Sequence, residues 1–364
     1  MTEMSENHVI FEEVSPYGAL MAVVEDDGEA MYVHIVAPEG SDIATRSLWL
    51  RNRRPAPMGF EEGWEEGARG PALPFDACVH PAGLPAPRPD ALNVVWFPEG
   101  DALAVRDGEA VLGVIPPWAG AEGCPGYARD CRSQTPVAWP LGKPEGNPLY
   151  ARLDSAMAFW DDWQRGAPWA AVQAALIASY DAAFGPHRRY FSIDAGQWPP
   201  RFIAECVSDS AITYVTGGMS VRPQPRVDRY FAHPEEVRHV ELAWRQSDLT
   251  LEPPTAPLNQ MSQLCTMPWH MDAWLASGHT VPAKGVPVGP SGTTFPAFLV
   301  HAAPPEAPGA ELPRYRGEPV NVLWLIAITP EEREFAIAQG SEALIERLFS
   351  GGVTATHRDR ASVV

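Results

Sequence analysis

The alternation of apolar and polar positions changes character twice along this chain. Near the start, Ala19 to Val24 is an apolar run, Glu25-Asp-Asp-Gly28 supplies a turn and Met31 to Val36 is β-prone again, which predicts a hairpin. Ser47 to Arg51 predicts another strand. From Arg53 to Pro89, proline, glycine and acidic residues replace any period, so a long irregular segment is expected over the surface. Asn93 to Phe97 resumes as a strand turned by Pro98-Glu-Gly100. Ala102 to Val105 and Ala110 to Ile115, joined by Arg106-Asp-Gly108, then predict a second hairpin. The expected product is a small, mainly antiparallel β region over residues 1–145, ending near Trp139-Pro140-Leu141.

The period then becomes helical. Asn147-Pro148 offers a capping side chain followed by proline at the first helical position. Leu149, Leu153, Met157, Trp160 and Trp163 recur every three or four residues as one apolar stripe. Asp161 and Asp162 fall beside that stripe and are expected in solvent. Pro168 opens a second helix with Trp169, Val172, Leu176, Tyr180 and Phe184 on its buried face, stopped by Gly185. Beyond it, Ile212 to Thr216, Val240 to Arg245, Phe298 to His301 and Val320 to Ile328 predict strands. The last is nearly all apolar, as for a central strand covered on both faces. Thr329-Pro-Glu-Glu332 reads as a capping box for a helix reaching Gln339, and Ser341 as the cap of a further helix to Phe349. Residues 351–364 lack periodicity and are expected to be a flexible tail. The fold class expected is α+β: a mixed sheet with flanking helices over 146–350, including the two leading helices, preceded by the β region.

Composition narrows the function classes. Of 364 residues, 39 are proline and 30 glycine, without a repeat, so short elements joined by rigid turns should dominate. The formal charge is −19, concentrated before residue 150, where 23 acids face 10 bases. Such a surface repels nucleic acid and anionic membrane and attracts a basic protein. Five scattered cysteines give neither a disulfide framework nor a zinc pattern; Cys124 and Cys131 alone stand close in sequence. The N-terminus lacks the charge and apolar core of a signal peptide and no stretch is long enough to span a membrane, so a cytoplasmic protein is expected.

The order and spacing of several motifs resemble the suppressor-of-fused family over about residues 184–349. They are Tyr214-Val-Thr-Gly-Gly-Met-Ser220, Val240-Glu-Leu-Ala-Trp244, Leu258-Asn259, Pro268-Trp-His270, Gly278-His279 and Val320 to Thr329 with its capped helix. Ser47 to Asn52, Trp96 to Gly100, Val114 to Trp118 and Gly126 to Asp130 also resemble a companion region found before this domain in bacterial members. The resemblance implies a mixed α/β fold, no enzymatic activity, no cofactor and a protein partner. For bacterial members it implies an immunity protein that neutralises a toxin. The peptide-binding mode of animal members does not transfer, because the region preceding the domain here is unlike the animal C-terminal domain.

Candidate chemistry is sparse. Trp269, His270, Trp274 and His279 cluster in sequence, but no acid or cysteine stands at a zinc spacing, and there is no H-E-x-x-H. A structural role or a protein-binding surface is the expected use of these four. Gly217-Gly218 is not followed by a helix start and reads as a turn or bulge. Gly289-Pro-Ser-Gly-Thr-Thr294 lacks the lysine of a phosphate loop, no G-x-S-x-G occurs, and Cys206 and Cys265 read as buried hydrophobes. Arg222, Arg226 and Arg229 form no helical stripe, and one or more of them should pair with surplus acid. Two alternatives stay open: an enzyme with a site around His270 and His279, and a sensor binding a small ligand in the 53–89 segment.

Overall fold

Asp26 and Asp27 close the first hairpin by accepting hydrogen bonds from the amides of Gly28, Glu29 and Ala30 at 2.8–2.9 Å. This local capture is what short acids contribute to turns. The computed structural model describes residues 8–66, 70–166, 169–197, 199–247, 255–283 and 295–364. The chain forms two units. Unit 1 comprises Met1–Arg165, Pro225–Phe231 and Trp269–Asp272; unit 2 comprises Gly166–Gln224, Ala232–Pro268 and Ala273–Val364.

Unit 1 contains two sheets. Strands β1 (His8–Val14), β2 (Met21–Asp26), β3 (Ala30–Val36) and β4 (Arg46–Asn52) form an antiparallel meander in chain order. Strands β5 (Leu92–Trp96), β6 (Leu103–Asp107), β7 (Ala110–Ile115), β8 (Tyr127–Ala128) and β9 (Trp139–Pro140) form the second sheet, antiparallel except for its last pair. Val24, Met31, Val33, Leu48, Trp49, Leu50, Leu103, Val105, Leu112 and Ile115 share one core. The small antiparallel β region expected ahead of the main domain is therefore present.

Helix α1 (Pro148–Gln164) is capped as expected, with Asn147 Oδ1 accepting from the Leu149 amide at 3.0 Å. It belongs to unit 1, whereas the sequence grouped it with the domain that follows. The reason is packing: Leu149, Leu153 and Ala156 fill a core with Phe97, Ala102, Ala104, Val111 and Val114. The buried face also runs through Ala156 and Phe159 instead of Met157, which is exposed. Asp161 is exposed and pairs with Arg165 at 2.6 Å; Asp162 is half-buried.

Unit 2 begins with α2 (Trp169–Phe184), which buries Leu176, Tyr180 and Phe184 while Trp169 and Val172 stay half-buried. Pro168, expected to open it, lies outside the described residues, as does the segment 289–294. An eight-stranded mixed sheet follows. Its order is β10 (His187–Ser192), β11 (Phe202–Val207), β12 (Ile212–Gly217), β13 (His239–Gln246), β16 (Val320–Ile328), β15 (Ala297–His301) and β14 (Thr280–Pro282), with β17 (Thr356–His357) pairing β13. Strand β16 is central, parallel to β13 and antiparallel to β15. Helix α3 (Thr255–Leu264) precedes β14, and α4 (Pro330–Gln339) and α5 (Ser341–Ser350) follow β16.

Two details depart from expectation. Ser341 does not cap α5: Gly340 takes the cap position, with no side-chain bond. The last residues are not loose. Arg360 bonds the buried Glu332 of α4, and the Val363 amide donates to the same carboxylate at 3.0 Å. A buried carboxyl group demands hydrogen-bond partners, and the C-terminal segment supplies them.

Candidate functional site

The Tyr214–Ser220 motif closes on a single side chain. Strand β12 runs out at Gly217, and the loop beyond folds over Glu241 of β13, which is wholly buried. Glu241 Oε1 accepts from the amides of Gly218 and Ser220 at 2.9 and 3.0 Å and from Ser220 Oγ at 2.6 Å; Oε2 accepts from Thr216 Oγ1 at 2.7 Å. Thr216 Oγ1 in turn accepts from the Leu242 amide, and its carbonyl accepts from Tyr180 at 2.6 Å. The second glycine is required here. Gly218 has φ +96°, and a Cβ on it would sit 2.1 Å from the Pro200 carbonyl oxygen. Burial pushes the Glu241 carboxyl up, while the Ser220 and Thr216 donors pull it down.

These amides resemble an anion-binding turn because they do bind an anion, but the anion is the protein's own. The Gly218 and Ser220 amides and the Thr216 and Ser220 hydroxyls are thus engaged within the protein. The sequence marked the glycine pair as a turn and missed its target. The available signal was Glu241, the one acid within Val240-Glu-Leu-Ala-Trp244.

The tryptophan and histidine group divides. In unit 1, Trp269 is 2% exposed, its ring edge-on to Tyr17 at 6.2 Å, and His270 is exposed. In unit 2, Trp274 and His279 are half-buried with rings 5.7 Å apart. Burial lowers the His279 pKa, against an opposing hydrogen bond with the Trp274 backbone. Gly278 N donates to Val300 O, and Val300 N to His279 O, both at 2.8 Å, so Gly278-His279 extends the β14–β15 ladder. Among the described residues, no group of three or more His, Cys, Asp or Glu is placed to hold a metal ion.

A denser cluster, which sequence reading did not find, lies in unit 1. Arg152 of α1 bonds Glu99 and, at 2.8 Å, Asp228. Asp101, fully buried, accepts from the Arg226 amide at 2.9 Å and sits 3.7 Å from Arg46. Arg46 and Arg226 also approach Asp272, at 3.6 and 3.9 Å. Burial, then repulsion from Asp272, pushes Asp101 up to about 7 against the pull of Arg46. Four carboxylates thus share three guanidiniums, and the most buried acid, Asp101, is the one that holds its proton longest as pH rises. Surplus acid made any chosen pair uninformative in the sequence; the partners come from five separate stretches of chain.

Arg226 pairs with Asp272, as expected for at least one of the arginine series. Arg222 Nη2 donates to the Cys265 carbonyl at 3.0 Å, and Arg229 lies over the Tyr230 ring. All five cysteines are buried, and burial pushes Cys206 and Cys265 up to about 12, outside the range of a working thiolate. Cys78 and Cys131 stand opposite one another in an antiparallel bridge. No helix among the described residues is long and apolar enough to cross a membrane.

Residues 198–361, just under half of the chain, match the family described as Suppressor of fused protein (SUFU). That region is suppressor-of-fused-like. The match covers most of the span 184–349 read from the motifs and extends past it at the C-terminal end. Among solved structures, a suppressor-of-fused homolog from Neisseria gonorrhoeae is 19% identical, covering 53% of this chain and 97% of that one, with a TM-score of 0.39. The Sufu–Fu complex gives 14% identity, coverage of 53% and 91% and a TM-score of 0.40. Drosophila Suppressor of Fused gives 16%, with 53% of this chain and 51% of that one, at 0.39. No curated protein matches the chain.

Proposed function

We propose that this protein is a non-enzymatic protein-binding module of suppressor-of-fused type, acting in bacteria as an immunity protein that neutralises a toxin by covering its active face. The observation that carries this reading is the use made of the family motif. Two of its amides, Gly218 and Ser220, and two of its hydroxyls, Thr216 and Ser220, are spent on Glu241, so the motif builds a scaffold and recognition falls to the surface. The Sufu–Fu complex, in which a related fold meets another protein, supports the same direction. A net charge of −19 favours a basic partner through faster encounter.

As candidate partner contacts we assign Trp269 and His270 in unit 1, of which His270 is exposed, and Trp274 and His279 in unit 2, whose rings lie 5.7 Å apart. Partly exposed tryptophan is a common anchor at protein interfaces. The region before residue 146 is proposed as the bacterial companion region, and the cytoplasm as the site of action.

The test is calorimetric titration of the full chain with a toxin encoded beside it. Tight 1:1 binding that falls about tenfold or more in Trp274→Ala or His270→Ala, with the thermal midpoint unchanged, supports the reading. A chain that binds none of the neighbouring toxins loses the immunity role. Binding indifferent to both substitutions moves the interface elsewhere.

A further inference from the structure

We infer that Cys78 and Cys131 form a reversible disulfide when a small disulfide oxidant is present, stapling the segment before β5 to the stretch after β8 within unit 1, independently of any protein partner. The two residues face each other in an isolated antiparallel bridge. Their neighbours make its hydrogen bonds: the Val79 amide donates to the Asp130 carbonyl at 2.8 Å, and the Arg132 amide to the Ala77 carbonyl at 2.7 Å. The cysteines are therefore a non-hydrogen-bonded pair, the position where opposed Cα atoms come to about 4.5 Å and side chains are nearest. Native disulfides span Cα separations of about 4.4–6.8 Å, so closure asks for side-chain rotation and no change of register.

Both thiols lie in one core, Cys78 at 1% exposure and Cys131 at 4%. Cys131 Sγ donates to the Ser133 carbonyl at 2.9 Å, and Asn52 Nδ2 approaches Cys78 Sγ at 3.9 Å. Burial pushes the Cys131 thiol up to about 11 against the Ser133 hydrogen bond, and Cys78 adds to the rise, so each thiol lies within the other's field. Sequence proximity would have paired Cys131 with Cys124. The Cys124 amide instead closes its own turn on the Ala121 carbonyl at 2.9 Å, and its thiol meets the Tyr127 hydroxyl.

In the closed state neither thiol meets an oxidant, so reaction waits on local opening. The bridge stands outside the regular strands, beside the single helical turn Phe75–Ala77, whose Phe75 is 47% exposed, and such short elements open at low cost. One cysteine then attacks oxidised glutathione as its thiolate, forming a mixed disulfide and releasing one glutathione. The second cysteine thiolate attacks the protein sulfur of that mixed disulfide, the Cys78–Cys131 bond forms and the other glutathione leaves. Both thiol protons end on the released glutathiones, and the protein has given up two electrons. The new bond closes a loop of about fifty residues, removing that freedom from the unfolded chain.

The test holds the full folded chain in buffer rich in oxidised glutathione and, in parallel, refolds it from urea in the same buffer, where burial is no barrier. In both arms the chain should lose two of its five thiols, with the residue-78 and residue-131 peptides recovered as one linked species. The folded arm should be the slower. The linked chain should melt about 5–15 °C higher than the reduced one, and dithiothreitol should reverse both changes. Cys78→Ala and Cys131→Ala should each abolish the link and the rise, whereas Cys124→Ala should keep both. Five free thiols after refolding overturn the inference, as does a link from Cys131 to Cys124. A link made on refolding but never in the folded chain overturns its reversibility, and a linked chain that melts lower than the reduced one rules out a staple.

Discussion

Ser220 bonds Glu241 twice, through its amide at 3.0 Å and its hydroxyl at 2.6 Å, across 21 residues of chain. All four donors around this carboxylate need an acceptor. Glu241→Gln replaces one acceptor oxygen by an amide nitrogen that faces donors, so it should cost about 2–3 kcal/mol. Urea unfolding followed by far-UV circular dichroism checks this. A change below the measurement error would mean that the loop does not depend on the acid.

Arg152 holds two acids that are nearly inaccessible: the Glu99 side chain is 3% exposed and that of Asp228 5%. Arg152→Ala leaves both without their shared cation and should destabilise the protein by about 3–5 kcal/mol. Arg152→Met, which preserves volume but not charge, should fail as well. Restoration by methionine would assign the loss to packing against Phe97 and Trp118 instead.

Asp101 should give stability a slope with pH. Its folded pKa is raised to about 7 by burial and by Asp272. Between roughly pH 4 and 7 the folded state therefore holds a proton that the unfolded chain releases. This group's contribution is greatest on the acid side and declines as pH rises through that window. Asp101→Asn should remove the decline, so the parent-minus-variant stability difference should become less favourable with rising pH. A flat difference from pH 4 to 8 rules the shift out.

His357 should act in the opposite sense. Burial and then Arg360 lower its folded pKa to about 4. On acidification from roughly pH 6.5 the unfolded chain takes up the proton first, so stability falls as pH drops toward 4. His357→Gln should remove this acid-side loss. Urea midpoints taken at half-unit steps separate the two groups, because their slopes have opposite signs.

Local rules made much of this fold legible. The capping box of α4 is present as read, with Thr329 Oγ1 accepting from the Glu332 amide and Glu332 accepting from the Thr329 amide. The same Glu332 also bonds Arg360 and Val363, and nothing within one turn of helix announces that. The C-terminal segment was therefore misread as loose. Period alone places Met157 inside, but the buried face of α1 runs through Leu149, Leu153, Ala156, Phe159 and Trp163. The Glu241 clasp and the Arg152 cluster join stretches far apart in sequence, where spacing carries no signal. The tryptophan and histidine residues could be named from the chain, while the contact of Trp269 with Tyr17, in the turn between β1 and β2, joins stretches far apart in sequence.

The pairing of β13 has a consequence for synthesis. Its first half is completed by residues 320–324 and its last two positions by residues 356–357. A nascent chain that has emerged only as far as β12 and β13 presents one edge of a strand that is buried along its whole length in the folded chain, with no neighbour. An unpaired central edge is a template for association with other chains. At roughly 5–20 residues per second, the hundred or so residues separating β13 from its second partner represent seconds of exposure on the ribosome. Chaperone demand during translation should thus concentrate on the interval after β13 emerges, and a premature stop before residue 356 should yield an insoluble product sooner than an inactive one.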